Sequence, residues 1–424
     1  MKTRIDYGRS GMEIELPEER LAKVLRMQPA RPLANVPAAT ERALEEPIGC
    51  APLRETARGR KSACIAICDI TRPVPNRLLL PPILQTLVEA GIPRERILIL
   101  IATGLHRPNE GKELEELLGP DLAGSLTVAN HVARNAAQHV YLGRTRGGTP
   151  AYVDRRFVEA DLHIIVGLIE PHLMAGFSGG RKVVCPGLVA VETMRWFHGA
   201  SLLAHEAAQE GVLEGNPVHR EAVEVARMAR VDFALNVALD EARNVVGLFA
   251  GELEASFEEG VHFVRQHVRD TVSEPVDVVV TTSAGYPLDA TFYQAIKGVT
   301  AASKIVKEGG TIILAAACSE GLGSADFVQL LRRYRNPREF EKVLQRADFF
   351  AIDQWQYQEL VKVLRRAEVV LVNDTLPPEE RMLVPIPVYS DFSAALEDAL
   401  NKHGSEAKVA VIPRGPYVLA EVQA

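Results

Sequence analysis

Four short clusters carry residue types that can do chemistry. The first is Asp69-Ile70-Thr71-Arg72-Pro73-Val74-Pro75, in which Arg72 can grip a carboxylate or phosphate through paired hydrogen bonds and Asp69 can hold a hydroxyl or orient a base. The same residues also read as a Pro-rich turn with Asp and Thr capping a helix. The second is Thr103-Gly104-Leu105-His106-Arg107-Pro108, where His106 suits general acid–base work because imidazole titrates near neutrality, or is simply an exposed loop histidine. The third is Glu170-Pro171-His172-Leu173-Met174-Ala175-Gly176-Phe177-Ser178-Gly179-Gly180-Arg181-Lys182. Its small residues let backbone N–H groups approach an anion, and Arg181 and Lys182 add positive charge. It is not a triphosphate loop: counting from Gly176, Arg181 stands where the second glycine belongs and Val183 where Ser or Thr belongs, which leaves a monophosphate site or a glycine linker. The fourth is Glu192-Thr193-Met194-Arg195-Trp196-Phe197-His198, with Met194, Phe197 and possibly Trp196 toward a core, and Arg195 and His198 sharing the other face. His198 is either a metal ligand or a C-terminal histidine favoured by the helix dipole.

The elements around these clusters explain their position. Apolar strand patterns over Ala63–Cys68, Ile97–Thr103 and Leu162–Leu168 each end where one of the first three clusters begins. Ligands of open α/β sheets sit beyond the carboxyl ends of strands, so all three are placed as binding loops. Further strands are expected over Asp232–Ala238, Val276–Thr282, Thr311–Ala317, Val369–Val372 and Lys408–Ile412. Helices are expected over Arg77–Ala90, Glu110–Leu118, Val191–His198, Pro217–Met228, Leu253–Val268, Tyr293–Val306, Phe327–Tyr334, Pro337–Ala347 and Tyr357–Arg366. Alternation of such runs, several of them apolar at every position, predicts an α/β protein with largely parallel sheets. A break near 270–276 separates two domains: 1–272, with 390–424 returning to it, and 275–389.

Bulk properties exclude other classes. The 424 residues carry 48 basic and 55 acidic side chains, a net charge of −7 that gives no general attraction to nucleic acid. No apolar run approaches the roughly 20 residues that span a bilayer, and the charged N-terminus does not read as a secretory signal. Five scattered cysteines suit a reducing, cytoplasmic setting. The histidines lack partners at zinc-finger spacing.

Taken together, the Asp-Ile-Thr-Arg-Pro-Val-Pro, Gly-Leu-His-Arg, Glu-Pro-His…Gly-Phe-Ser-Gly-Gly-Arg-Lys and Trp-Phe-His segments resemble the nickel-pincer nucleotide-dependent lactate racemase family, and Tyr293-Gln294-Ala295-Ile296-Lys297-Gly298 adds a fifth match in the family's order. The resemblance implies two α/β domains with the active site in the cleft between them. It implies a nickel-bearing pyridinium-3-thioamide-5-thiocarboxylic acid mononucleotide attached covalently to Lys182, with His198 as the metal's protein ligand. Ser178, Gly179, Gly180, Arg181 and Lys182 then cradle its phosphate, with Thr71 and Asp69 beside them. His106 and His172 are implied as the catalytic bases, and Arg72, Lys297 and Gln294 as the groups that bind a 2-hydroxy acid by its carboxylate. Cofactor-biosynthesis proteins are implied partners; nucleic acid and membrane are not. Two other readings use the same residues: a metal-dependent hydrolase or lyase with His106, His172 and His198 as ligands, and a carrier in which Lys182 only anchors its passenger. Trp355 lines a substrate pocket or is a buried aromatic.

Overall fold

The computed structural model describes residues 1–346 and 348–423. The chain divides into two compact units, one of residues 29–170 and 174–267, the other of residues 1–28, 171–173 and 268–424. Each holds a six-stranded sheet. In the first unit the strand order is Val245–Gly251, Phe233–Leu239, Leu162–Leu168, Ala63–Cys68, Ile97–Ala102, Thr127–Asn130. All neighbours are parallel except Val245–Gly251, which runs antiparallel to Phe233–Leu239. The Leu162–Leu168 strand is buried at every position, which explains its unbroken apolar sequence.

Register sets the three loops side by side. Ile67 pairs with Ile101 on one side and Val166 on the other, so the chain leaves all three strands at the same edge of the sheet. From Ala63–Cys68 the chain builds outward through Ile97–Ala102 and Thr127–Asn130, then crosses back to Leu162–Leu168 on the opposite flank. The order reverses between Ala63–Cys68 and Leu162–Leu168, and such reversal points are where open α/β sheets bind ligands.

In the second unit the order is Val388–Tyr389, Glu368–Val372, Val306–Ala315, Val276–Thr282, Val409–Ile412, Leu21–Val24, all parallel. This corrects the expected division. The segment 390–424 does not return to the N-terminal domain; its strand Val409–Ile412 pairs with Val276–Thr282, and the chain's first 28 residues join the same unit. The reason is long-range pairing: Leu21–Val24 finds its partner in Val409–Ile412 at the far end of the chain. The last residue of the helix expected over Pro337–Ala347 lies outside the described residues, as does Ala424; the helix itself runs Pro337–Leu344. Among the described residues no helix is long and apolar enough to cross a membrane.

Candidate active site

The loop after Ala63–Cys68 is organised around one carboxylate. Asp69 is buried, and its Oδ1 accepts the Thr71 hydroxyl at 2.6 Å while Oδ2 lies 2.6 Å from His106 Nδ1. Burial alone would raise the Asp69 carboxyl, but the His106 imidazole, the Thr71 hydroxyl and the Arg72 guanidinium together hold it below its usual range. A carboxylate accepts only, so Nδ1 is the protonated nitrogen and Nε2 of this half-exposed side chain is left with its lone pair. Asn109, which the sequence did not single out, accepts the Ile70 N–H at 3.1 Å and so braces the first loop against the second. Asp69, expected beside the cofactor with Thr71, thus bonds both that threonine and His106.

Arg72 forms an ion pair with Glu170, joining the loops on either side of the strand-order reversal. Glu170 is fixed by its backbone: its N–H donates to Ser178 Oγ at 3.1 Å and its carbonyl accepts the Ser178 N–H at 2.9 Å. Ser178 Oγ in turn donates to the Leu168 carbonyl at 2.6 Å.

The glycine loop presses directly on the sheet. A Cβ at Gly167 would lie 3.1 Å from Gly179 Cα and 3.2 Å from Gly180 N, so only glycine in the strand admits the loop. Gly180 has φ +48°, and a Cβ there would stand 2.9 Å from the Phe257 ring. Asn236, a polar residue in the otherwise apolar Phe233–Leu239 strand, accepts the Gly180 N–H at 2.7 Å. The lone Asn in that run was the available signal, and the motif-based reading passed it over. Gly180→Ala should therefore destabilise the protein by about 1–3 kcal/mol or more, from left-handed strain plus overpacking against a buried ring. Denaturant unfolding checks this, and a loss under 0.5 kcal/mol would contradict the packing described.

Arg181 departs from expectation. It is 1 % exposed, donates to the carbonyls of Gly179 at 3.2 Å and Ala175 at 2.8 Å, and its guanidinium lies 4.2 Å from the Phe257 ring centroid. Burial pushes its pKa down to about 9. It holds the loop's shape from inside instead of turning its charge to a phosphate, because the carbonyls left by the tight turn need donors.

Lys182, half-buried, places Nζ 5.8 Å from the Phe197 ring centroid. His198 follows the helix Val191–Phe197 and is buried, edge-on to Phe197. Burial first, then the Lys182 ammonium, push its imidazole down to about 3, so it is neutral at ordinary pH. Desolvation outweighs the helix dipole that would favour the cation. Trp196 is 53 % exposed, against the expectation of a core position, with Arg144 over its ring at 5.3 Å; Met194 and Phe197 are buried as expected.

In the second unit, Gln294 and Lys297 lie one turn apart on the helix Phe292–Ala302, which Thr291 caps by accepting the Gln294 N–H at 3.3 Å. His172 belongs to this unit, in the short strand Pro171–His172. Trp355 is 5 % exposed and donates its indole N–H to Tyr293 at 2.7 Å. Among the described residues no three His, Cys, Asp or Glu side chains are grouped to hold a metal ion.

Two family models cover most of the chain: the lactate racemase N-terminal domain matches residues 7–211 and the lactate racemase C-terminal domain residues 271–420. The lactate racemase of Thermoanaerobacterium thermosaccharolyticum is 35% identical over 419 residues, 98% of each chain. That of Lactiplantibacillus plantarum is 36% identical over 383 residues, 90% of each chain. Among solved structures, the lactate racemase apoprotein from T. thermosaccharolyticum superposes with a TM-score of 0.92 at 34% identity, over 99% of this chain and 100% of that one. A Thermotoga maritima protein gives 0.70 at 19% identity, over 91% of this chain and 98% of that one, a likeness of fold alone.

Proposed function

The chain belongs to the lactate racemase family, and from that membership we propose that it interconverts the enantiomers of lactate or a related short-chain 2-hydroxy acid, using a nickel-pincer nucleotide attached to Lys182. The observation that carries the cofactor assignment is the buried, neutral His198 under the charge of Lys182. Neutral imidazole is the form that ligates a metal. A metal carried on the nucleotide would take His198 as its protein ligand, and Lys182, the attachment point, stands near enough for its charge to act on that imidazole. The residues fit the group.

When bound, the nickel-pincer nucleotide supplies a reversible acceptor for the C2 hydrogen together with its electron pair, a chemistry no protein side chain offers. The protein's part is to bind, orient and move protons. His106 Nε2 takes the proton of the C2 hydroxyl as the C2 hydrogen leaves, and Asp69 at Nδ1 stabilises the imidazolium that results. Arg72 holds the carboxylate by directional hydrogen bonds, with Gln294 and Lys297 assigned to the same end of the substrate. The flat 2-keto acid turns about that anchor, and His172 is assigned the matching proton transfer for the other enantiomer. The five cysteines are free thiols, in keeping with a reducing cytoplasmic setting, and loading of Lys182 calls for cofactor-making proteins as partners.

Isotopic labelling tests the reaction. Lactate carrying deuterium at C2 should racemise more slowly than the unlabelled acid and keep its label in both enantiomers, since the hydrogen never becomes a solvent-exchangeable proton. Loss of deuterium to water in step with racemisation would replace this reading with simple proton abstraction.

A further inference from the structure

The ion pair that fixes Arg72 leaves half of its carboxylate unused. Glu170 is 6 % exposed, one oxygen, Oε1, meets the Arg72 guanidinium, and the other, Oε2, is buried with no hydrogen-bond partner. Its backbone is tied to Ser178 at both N–H and carbonyl, and its side chain is held by the ion pair to Arg72. A buried carboxylate oxygen without a donor is costly, and it disfavours any further negative charge brought beside it.

The charges around it point to the kind of ligand. Arg72 contributes one positive charge, while Glu170 beside it and the buried Asp69 within its electrostatic reach contribute two negative ones. With His106 neutral this quartet carries a net charge of −1, by +1 −1 −1, and with His106 protonated it carries none. Arg72 therefore anchors a substrate carboxylate by the direction of its N–H groups and not by surplus charge, since a guanidinium fork can serve two carboxylates at once. One incoming carboxylate is tolerated on those terms. A second, on the substrate's tail, adds a further negative charge beside Glu170 and Asp69 with nothing to neutralise it.

We propose that Glu170 is a specificity-determining residue that restricts the Arg72 anchor to 2-hydroxy monocarboxylates, its buried carboxylate repelling a second carboxylate on the substrate. The inference rests on Arg72 being the carboxylate anchor of the proposed racemase. Where Glu170 turns away dicarboxylates, a glutamine of the same shape removes the charge that repels them.

The test compares fully matured wild type with Glu170→Gln on lactate, 2-hydroxybutyrate and malate, following racemisation by chiral analysis. Wild type should prefer both monocarboxylates to malate. In Glu170→Gln the malate-to-lactate ratio of kcat/KM should rise about tenfold or more, through KM more than kcat, a change worth about 1.4 kcal/mol. A merely structural role would depress all three acids alike, and an unchanged ratio overturns the proposal. Wild type that prefers malate to 2-hydroxybutyrate overturns it even if the variant fails to mature. Arg72→Ala separates the two layers. An unchanged lactate KM in that variant refutes the anchor and this proposal with it. A raised KM there, with unaltered selectivity in Glu170→Gln, refutes this proposal alone.

Discussion

Replacing Lys182 by alanine should leave a folded protein that carries no cofactor and racemises nothing. The side chain is half-buried and its ammonium faces the Phe197 ring, so its loss should change stability by about 1 kcal/mol or less. The backbone of the loop does not depend on it: Gly180 is held by Asn236, Ser178 by Leu168 and Glu170, and Arg181 by the carbonyls of Gly179 and Ala175. His198 should stay neutral, because burial is the larger cause of its lowered pKa and the lysine charge the smaller. Activity, by contrast, should fall by the whole catalytic advantage, on the order of a millionfold or more, to the uncatalysed background. Lys182→Arg sharpens the point: it keeps the cation but loses the amine that forms the link, and it should be equally inactive. Intact mass, thermal unfolding and chiral analysis of each variant check the three statements, and activity retained in either variant would break the assignment.

The second large effect concerns the histidine in the loop after the neighbouring strand Ile97–Ala102. His106→Ala should lower kcat by about 10²–10⁴-fold, the usual contribution of a positioned general base, while nickel and the Lys182 adduct remain. His172→Ala should act alike. Asp69→Asn should give a smaller fall in kcat with little change in substrate KM, because it alters the partner that sets the His106 tautomer and leaves the base in place. His198→Ala should show the opposite pattern, retaining the adduct and losing the metal. Metal analysis beside steady-state kinetics distinguishes them, and nickel retained by His198→Ala at wild-type occupancy would remove that residue from the metal's surroundings.

Much of this was legible in the sequence, for identifiable reasons. The runs Ala63–Cys68, Ile97–Ala102 and Leu162–Leu168 are apolar throughout because both faces are covered, and a strand buried on both faces leaves its mark in every residue. The loops after them were readable because Arg, His, Lys and clustered glycine are costly to keep at a strand end without use. What escaped was information held in distant partners. The strands Lys2–Ile5 and Met12–Glu15 pair with each other and bury Ile5 and Ile14, but each is four residues long, too short for its alternation of charged and apolar residues to stand out. Leu21–Val24 is a strand only because Val409–Ile412 lies beside it, which also misdirected the assignment of 390–424.

At the site, residue type was legible and direction was not. Arg181 and Lys182 are adjacent cations in sequence, yet one turns inward to backbone carbonyls and the other lies against Phe197 near His198. Glu170 sat in a recognised motif without a role, since its pairing with Arg72 depends on two loops being brought together by the sheet's strand order. Asn109 was invisible for the same reason, acting through a backbone N–H on another element, whereas Asn236 left a signal as the one polar residue of an apolar strand.

The most direct measurement is intact-mass and peptide mass spectrometry, with nickel quantified on the same sample, of wild-type protein produced alongside the enzymes that make the cofactor. The account predicts one nucleotide-sized adduct on the peptide containing Lys182, close to one nickel per adduct, and turnover proportional to the adducted fraction. A preparation that interconverts enantiomers at full rate with that lysine unmodified would contradict it.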